Sequence, residues 1–165
     1  MTPKPGHENE FIRLVARSVD LHRGWVQPPS DKESYSRYLE RIAGPLQEGF
    51  LVVDSASGDL VGVVNVNDIR LGALRGASLG YYGFATRRGG GRMTQGIRLA
   101  VDFAFRDLSL HRLEANIQPG NAPSIALVKR LGFKLEGFSP RYLYVSGGWR
   151  DHERWAVLSD EWTES

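Results

Sequence analysis

A chain of 165 residues with 41% hydrophobic and 24% charged side chains is long enough to bury one sizeable core and too ordinary in composition for a disordered or fibrous protein. Its 21 Lys and Arg against 19 Asp and Glu leave a net charge of +2, which excludes a protein that grips nucleic acid chiefly through phosphates. No cysteine occurs, so a thiol nucleophile, a Cys-held metal and a disulfide framework are excluded as well. The lack of cysteine suits a reducing compartment. No apolar run approaches the roughly 18 residues of a membrane span, and nothing in the opening residues directs export, so a cytoplasmic protein with no membrane partner is expected.

Residues 1–9, MTPKPGHEN, carry two prolines and no hydrophobic pattern, and read as a flexible leader before a single domain over 10–165. Phe11, Leu14 and Val15 then recur at helical spacing, as far as Gly24 and Trp25. A second helix opens at Ser30, with Glu33 completing a capping box and Tyr35, Tyr38, Leu39 and Ile42 on its apolar face, and Gly44-Pro45 stop it. Phe50 to Asp54 and Leu60 to Val66 read as a hairpin, and Ser78 to Phe84 as a third strand. Met93, Ile97, Ala100, Val101, Ala104 and Leu108 mark one face of a long helix. A strand over Arg112 to Gln118 follows, then a helix from Ala122 to Leu131 behind Asn121, closed by Gly132. Phe133 to Phe138 and Trp149 to Val157 end the chain as strands about a Ser146-Gly147-Gly148 turn. The order ααβββαβαββ implies an α+β or mixed α/β fold.

The segment Arg87-Arg88-Gly89-Gly90-Gly91-Arg92-Met93 lies between a strand and the long helix. Residues without Cβ let backbone N–H groups converge on a ligand, and a helix N-terminus adds partial positive charge, which together suit a pyrophosphate. A flexible glycine turn with solvated arginines fits the same residues. An NTP-binding loop needs Gly-Lys followed by Ser or Thr, and a dinucleotide fingerprint needs a third glycine where Thr94 stands. His7 and His22 have no metal-ligand partners at useful spacing, so no metal is expected.

The loop resembles the acyl-CoA loop Q/R-x-x-G-x-G/A of the GCN5-related N-acetyltransferases through Arg88, Gly91 and the position of Met93, although Met93 replaces a small residue. Leu110-His111-Arg112-Leu113-Glu114-Ala115-Asn116, Asn121 with Ser124, Arg130-Leu131-Gly132-Phe133 and Gly148-Trp149-Arg150-Asp151-His152 extend the resemblance over residues 25–162, to the RimJ/RimL branch of ribosomal-protein alanine N-acetyltransferases. It implies a mixed sheet whose central strands, Leu79 to Phe84 and Arg112 to Gln118, splay into a V, with the first strand short or absent because residues 1–9 supply a poor one. It also implies acetyl-CoA as cosubstrate. Backbone groups near Phe84 would pair with the pantetheine arm and supply the oxyanion donor, Arg88, Gly89, Gly90, Gly91, Arg92 and Met93 would hold the pyrophosphate, and Asn121 would bond the pantetheine or its phosphate end. Val128 replaces the tyrosine acid of many relatives, which leaves Ser124 as the catalytic hydroxyl near the thiol or as a plain first-turn helix serine. Glu114, Tyr142 and His152 compete for the base, Glu114 and His152 also fitting structural roles; Trp25 and Tyr142 would line the acceptor cleft, although a core or loop-anchoring tryptophan fits Trp25 as well.

The expected activity is acetyl transfer to a protein N-terminal α-amine. A small-molecule acetyltransferase acting on an antibiotic or polyamine is the rival enzyme, and an inactive CoA-sensing module the rival outside enzymes. An acidic cleft gathered from Glu40, Glu48, Asp54 and Asp68 would favour a polycation.

Overall fold

The computed structural model describes residues 1–86 and 91–163. Three short helices, α1 (Glu8–Arg17), α2 (Val19–His22) and α3 (Lys32–Ile42), precede strands β1 (Glu48–Val53), β2 (Leu60–Arg70) and β3 (Gly76–Gly83). Then come α4 (Arg92–Arg106), β4 (Arg112–Ile117), α5 (Ala122–Arg130), β5 (Lys134–Val145) and β6 (Gly148–Leu158). This is the expected mixed α/β order.

The six strands form one sheet in the order β1-β2-β3-β4-β6-β5. Only β3 and β4 run parallel; the other neighbouring pairs are antiparallel. Side chains alternate between the two faces, so each strand feeds two cores. On one face Val64, Val66, Leu79, Leu113, Ala115 and Trp155 pack beneath Ile97, Val101 and Val128 of α4 and α5. On the other, Leu51, Val63, Tyr82 and Phe84 pack beneath Phe11 and Leu14 of α1 and Tyr35 and Tyr38 of α3.

The first helix is broken at Ser18, whose hydroxyl donates back to Leu14 O at 2.6 Å, an alternative to continued backbone pairing. The cap of α3 is Asp31 rather than Ser30: its carboxylate accepts from Ser34 N at 2.7 Å, and Ser34 rather than Glu33 completes the box. Residues 1–9 are tied to the domain where a loose leader was expected. Met1 exchanges bonds with Leu51 at the outer edge of β1, at 3.0 and 2.8 Å, and Lys4 O accepts from the Tyr35 hydroxyl at 3.0 Å. An extended edge strand offers unpaired donors and acceptors that such a segment can use. The sheet therefore begins with a stub.

Candidate active site

The parallel ladder between β3 and β4 consists of Gly76↔Arg112, Ala77↔Leu113 and Ser78↔Glu114. Beyond it β3 stays with β2 and β4 stays with β6, so Leu79 to Gly83 and Ala115 to Ile117 diverge as the arms of a V. Phe84 N–H donates to Val61 O at 2.7 Å. Because bond direction alternates along an antiparallel pair, the peptide groups of Tyr81 and Gly83 are the ones aimed into the V. Phe84 itself does not face the V. Its N–H is engaged in the β2 ladder, its ring is buried against α1, and the next amide, Ala85, donates to Ser18 Oγ at 2.8 Å.

His22 stands at the same strand end. Its Nε2 is 2.8 Å from Gly83 O, which can only accept, so Nε2 carries the proton while Nδ1 is buried without a partner. Burial holds the imidazole pKa below its usual 6.5, against a smaller opposing effect of the Gly83 bond. Folding therefore favours neutral His22: its contribution is complete above about pH 6.5 and is lost as the pH falls through the lower folded value. His22→Gln keeps an amide donor for Gly83 and removes the titration. Chemical denaturation between about pH 7 and 5 should show the variant losing less stability than the parent; equal losses would contradict this account.

Two helix ends flank the V. Gly91, the cap of α4, has φ +67°, and a Cβ there would meet no atom of the described residues within 4 Å. Arg92 Nε is 2.5 Å from Asp54 Oδ2, an ion pair that ties the first turn of α4 to the end of β1. Met93 is accommodated because the sheet beneath it is glycine: a Cβ on Gly62 would lie 2.5 Å from Met93 Sδ, and one on Gly83 would lie 3.8 Å from Met93 Cγ. Arg88, Gly89 and Gly90 fall outside the described residues.

At α5 the Asn121 side chain is a helix cap, its Oδ1 accepting from Ser124 N at 3.3 Å. The Ser124 hydroxyl lies 2.6 Å from the hydroxyl of Tyr81, which reaches up from the diverging arm of β3. Burial pushes the Tyr81 phenol up to about 12, with the Ser124 bond acting in the opposite sense. Sequence reasoning missed Tyr81. It reads only as part of the third strand, and nothing local points to residue 124.

On the other face a cavity of about 780 Å³ is lined by Arg41, Asn67, Asp68, Glu114, Asn116 and Tyr142, among others. Asn116 Oδ1 is buried without a hydrogen bond. Glu114 accepts from Arg112 Nε at 2.8 Å, and Arg112 also forks onto Glu136, which holds the Glu136 carboxyl below its usual range. The paired Glu114 carboxylate is a structural anion before it is a base. His152 is buried and donates from Nδ1 to Arg150 O at 2.9 Å, with the Tyr142 ring 6.2 Å from its own. Trp25 is not brought to this cavity. Its ring lies where a Cβ on Gly120 would come within 3.4 Å, and Gly24 O accepts from Gln118 Nε2 at 2.8 Å, so the loop after α2 closes over the end of β4. Of the four acids that would mark a polycation cleft, only Asp68 lines the cavity; Asp54 is paired with Arg92 and Glu40 lies in a separate hollow beside Arg37.

Residues 2–134 match the acetyltransferase (GNAT) domain family. The chain belongs to that family. It is 33% identical over 130 residues to the probable N-acetyltransferase YjcK of Bacillus subtilis, covering 79% of this chain and 72% of that one. It is also 33% identical over 114 residues to the ribosomal protein uS5-alanine N-acetyltransferase of Escherichia coli, covering 69% of this chain but only 59% of that relative. Among solved structures, Mycobacterium smegmatis RimJ in complex with CoA-disulfide superposes with a TM-score of 0.90 at 27% identity, over 99% of this chain and 83% of that one. Vibrio cholerae spermidine N-acetyltransferase with CoA and spermine shares the fold, with a TM-score of 0.81 at 19% identity over 98% and 95% of the two chains. Among the described residues no helix is long and apolar enough to cross a membrane.

Proposed function

We propose that this acetyltransferase uses acetyl-CoA to acetylate the α-amine at the N-terminus of a protein or peptide. The observation that carries the choice of acceptor is the mixed charge of the cavity beside the V, where Arg41 and Arg70 offset Asp68 and Glu114. A polyamine with several cationic nitrogens needs a run of carboxylates, whereas a peptide end presents one amine followed by peptide groups. Asn116 Oδ1 and the Tyr142 hydroxyl suit such a polar chain. One relative is named as a ribosomal protein uS5-alanine N-acetyltransferase, which supports the same reading.

The chain's own residues fit an acyl-CoA. The peptide group of Tyr81 and the N–H of Gly83 face the V where an extended pantetheine arm would add like a strand, and the α4 N-terminus at Gly91 is an end of the kind where phosphates are favoured. When bound, acetyl-CoA supplies an activated acetyl group: the amine nitrogen bonds to the carbonyl carbon as the C–S bond breaks, its electron pair goes to sulfur, and the proton lost by nitrogen balances the one gained there. The amides aimed into the V are the candidate oxyanion donors. Ser124 is the candidate hydroxyl for the sulfur. No strong base is required, since an α-amine has a reference pKa near 8 and is neutral far more often than a lysine near 10.4.

The test is release of free CoA thiol from acetyl-CoA in the presence of separate acceptors. Turnover with short peptides beginning in Ala or Ser, and little with spermidine or an aminoglycoside, is the expected result. Turnover confined to the small amines would overturn the acceptor, and no turnover with any amine would favour a CoA-sensing role.

A further inference from the structure

Two serines occupy the third position of a capped helix, and they behave differently. In α3, Ser34 N donates to the Asp31 cap while its hydroxyl folds back, donating to Asp31 O at 3.0 Å and accepting from the backbone N–H of Ser30 and Asp31 at 3.1 Å. In α5, Ser124 N donates to the Asn121 cap in the same way, yet its hydroxyl is drawn to the phenol of Tyr81, 43 residues away in the chain. The local geometry of a helix start therefore does not explain where Ser124 Oγ lies; a side chain from the diverging arm of the V does.

We propose that Tyr81 is a positioning residue for acetyl transfer: its phenol donates to Ser124 Oγ and thereby directs the serine O–H away from the helix backbone, toward the leaving sulfur. This rests on the reading of the chain as an acetyl-CoA-dependent enzyme, and not on which amine it acetylates. The direction of the bond follows from acidity, because a phenol is the stronger donor and an aliphatic hydroxyl the better acceptor. The Ser124 carbonyl lies farther from the phenol, at 3.4 Å, than Ser124 Oγ at 2.6 Å, so the serine oxygen is the principal acceptor. Once that oxygen accepts, the single serine proton is left for another partner, and a hydroxyl that accepts one bond donates the next more strongly. The raised phenol pKa keeps Tyr81 protonated at the pH of the reaction. Tyr81 therefore supplies orientation, and the proton count of the transfer is unchanged.

The experiment compares Tyr81→Phe, Ser124→Ala and the double variant by two readouts. The first needs no acceptor: the pKa of the thiol of bound CoA, followed by thiolate absorbance in the ultraviolet. A hydroxyl aimed at sulfur favours the thiolate, so both single variants should raise that pKa and the double variant should raise it no further than Ser124→Ala. The second is kcat with whichever amine the enzyme turns over. Ser124→Ala should lower it about ten- to a hundredfold and Tyr81→Phe about three- to tenfold, the scale of one net hydrogen bond, with KM for acetyl-CoA unchanged and the two effects not multiplying. Independent, multiplying losses would overturn the proposal, as would a thiol pKa that neither variant moves while CoA remains bound. Absence of any bound-CoA thiolate signal would instead overturn the acetyl-CoA reading itself. A thermal unfolding midpoint close to the parent's keeps a folding defect from imitating either result.

Discussion

Gly91→Val is expected to weaken acetyl-CoA binding at least tenfold by calorimetry. The cause is backbone conformation before bulk. Gly91 caps α4 at φ +67°, where a β-branched residue is a steric outlier at a cost on the order of 1–3 kcal/mol, so valine moves the cap and misaligns the N–H groups that open the helix. A Cβ there would meet no atom of the described residues within 4 Å, so no described contact opposes folding of the variant. Gly91→Asn separates the two effects because asparagine tolerates this region. It should retain most of the affinity. Equal affinity for valine and glycine in a folded protein would remove the α4 N-terminus from the phosphate site.

Gly62→Ala is expected to lower the unfolding free energy by about 3 kcal/mol, the upper range for an overpacked site. The added methyl would lie 2.5 Å from Met93 Sδ and 2.5 Å from the carbonyl oxygen of Tyr82. A thioether can rotate aside; a strand carbonyl cannot. Combining Gly62→Ala with Met93→Ala should therefore recover only part of the loss in urea denaturation, at an unchanged m-value. Full recovery would show that Met93 alone demands glycine at position 62. The consequence reaches the site, because Gly62 pairs with Gly83 at the end of the arm that His22 and Ser18 hold.

These cases also mark what was legible before the structure. The hydrophobic period of Ile97, Val101 and Ala104 placed α4 correctly because that face is buried, and the strand read over Arg112 to Gln118 matches β4. The V followed from family resemblance and appears in the ladder that stops at Ser78↔Glu114. That the Phe84 N–H turns to Val61 while the peptide groups of Tyr81 and Gly83 turn to the V could not be read beforehand, since the direction of a peptide group depends on strand register, which residue types do not encode. The shift of the α3 cap from Ser30 to Asp31 is a one-residue competition between two good capping side chains. Tyr81 was passed over because its partner is set by tertiary packing. β5 runs on to Val145, past the predicted end at Phe138, since pairing with β6 carries exposed residues such as Tyr144 that a burial pattern does not mark.

The central claim concerns which nitrogen receives the acetyl group. A single peptide carrying a free N-terminal alanine and an internal lysine, incubated with the enzyme and acetyl-CoA and sequenced by tandem mass spectrometry, tests it directly. The account predicts one added acetyl group on the alanine nitrogen and an unmodified lysine, because the α-amine is the more often neutral nucleophile by more than two pKa units and the Glu114 carboxylate of the cavity is already paired with Arg112. Acetylation chiefly on the lysine would contradict it.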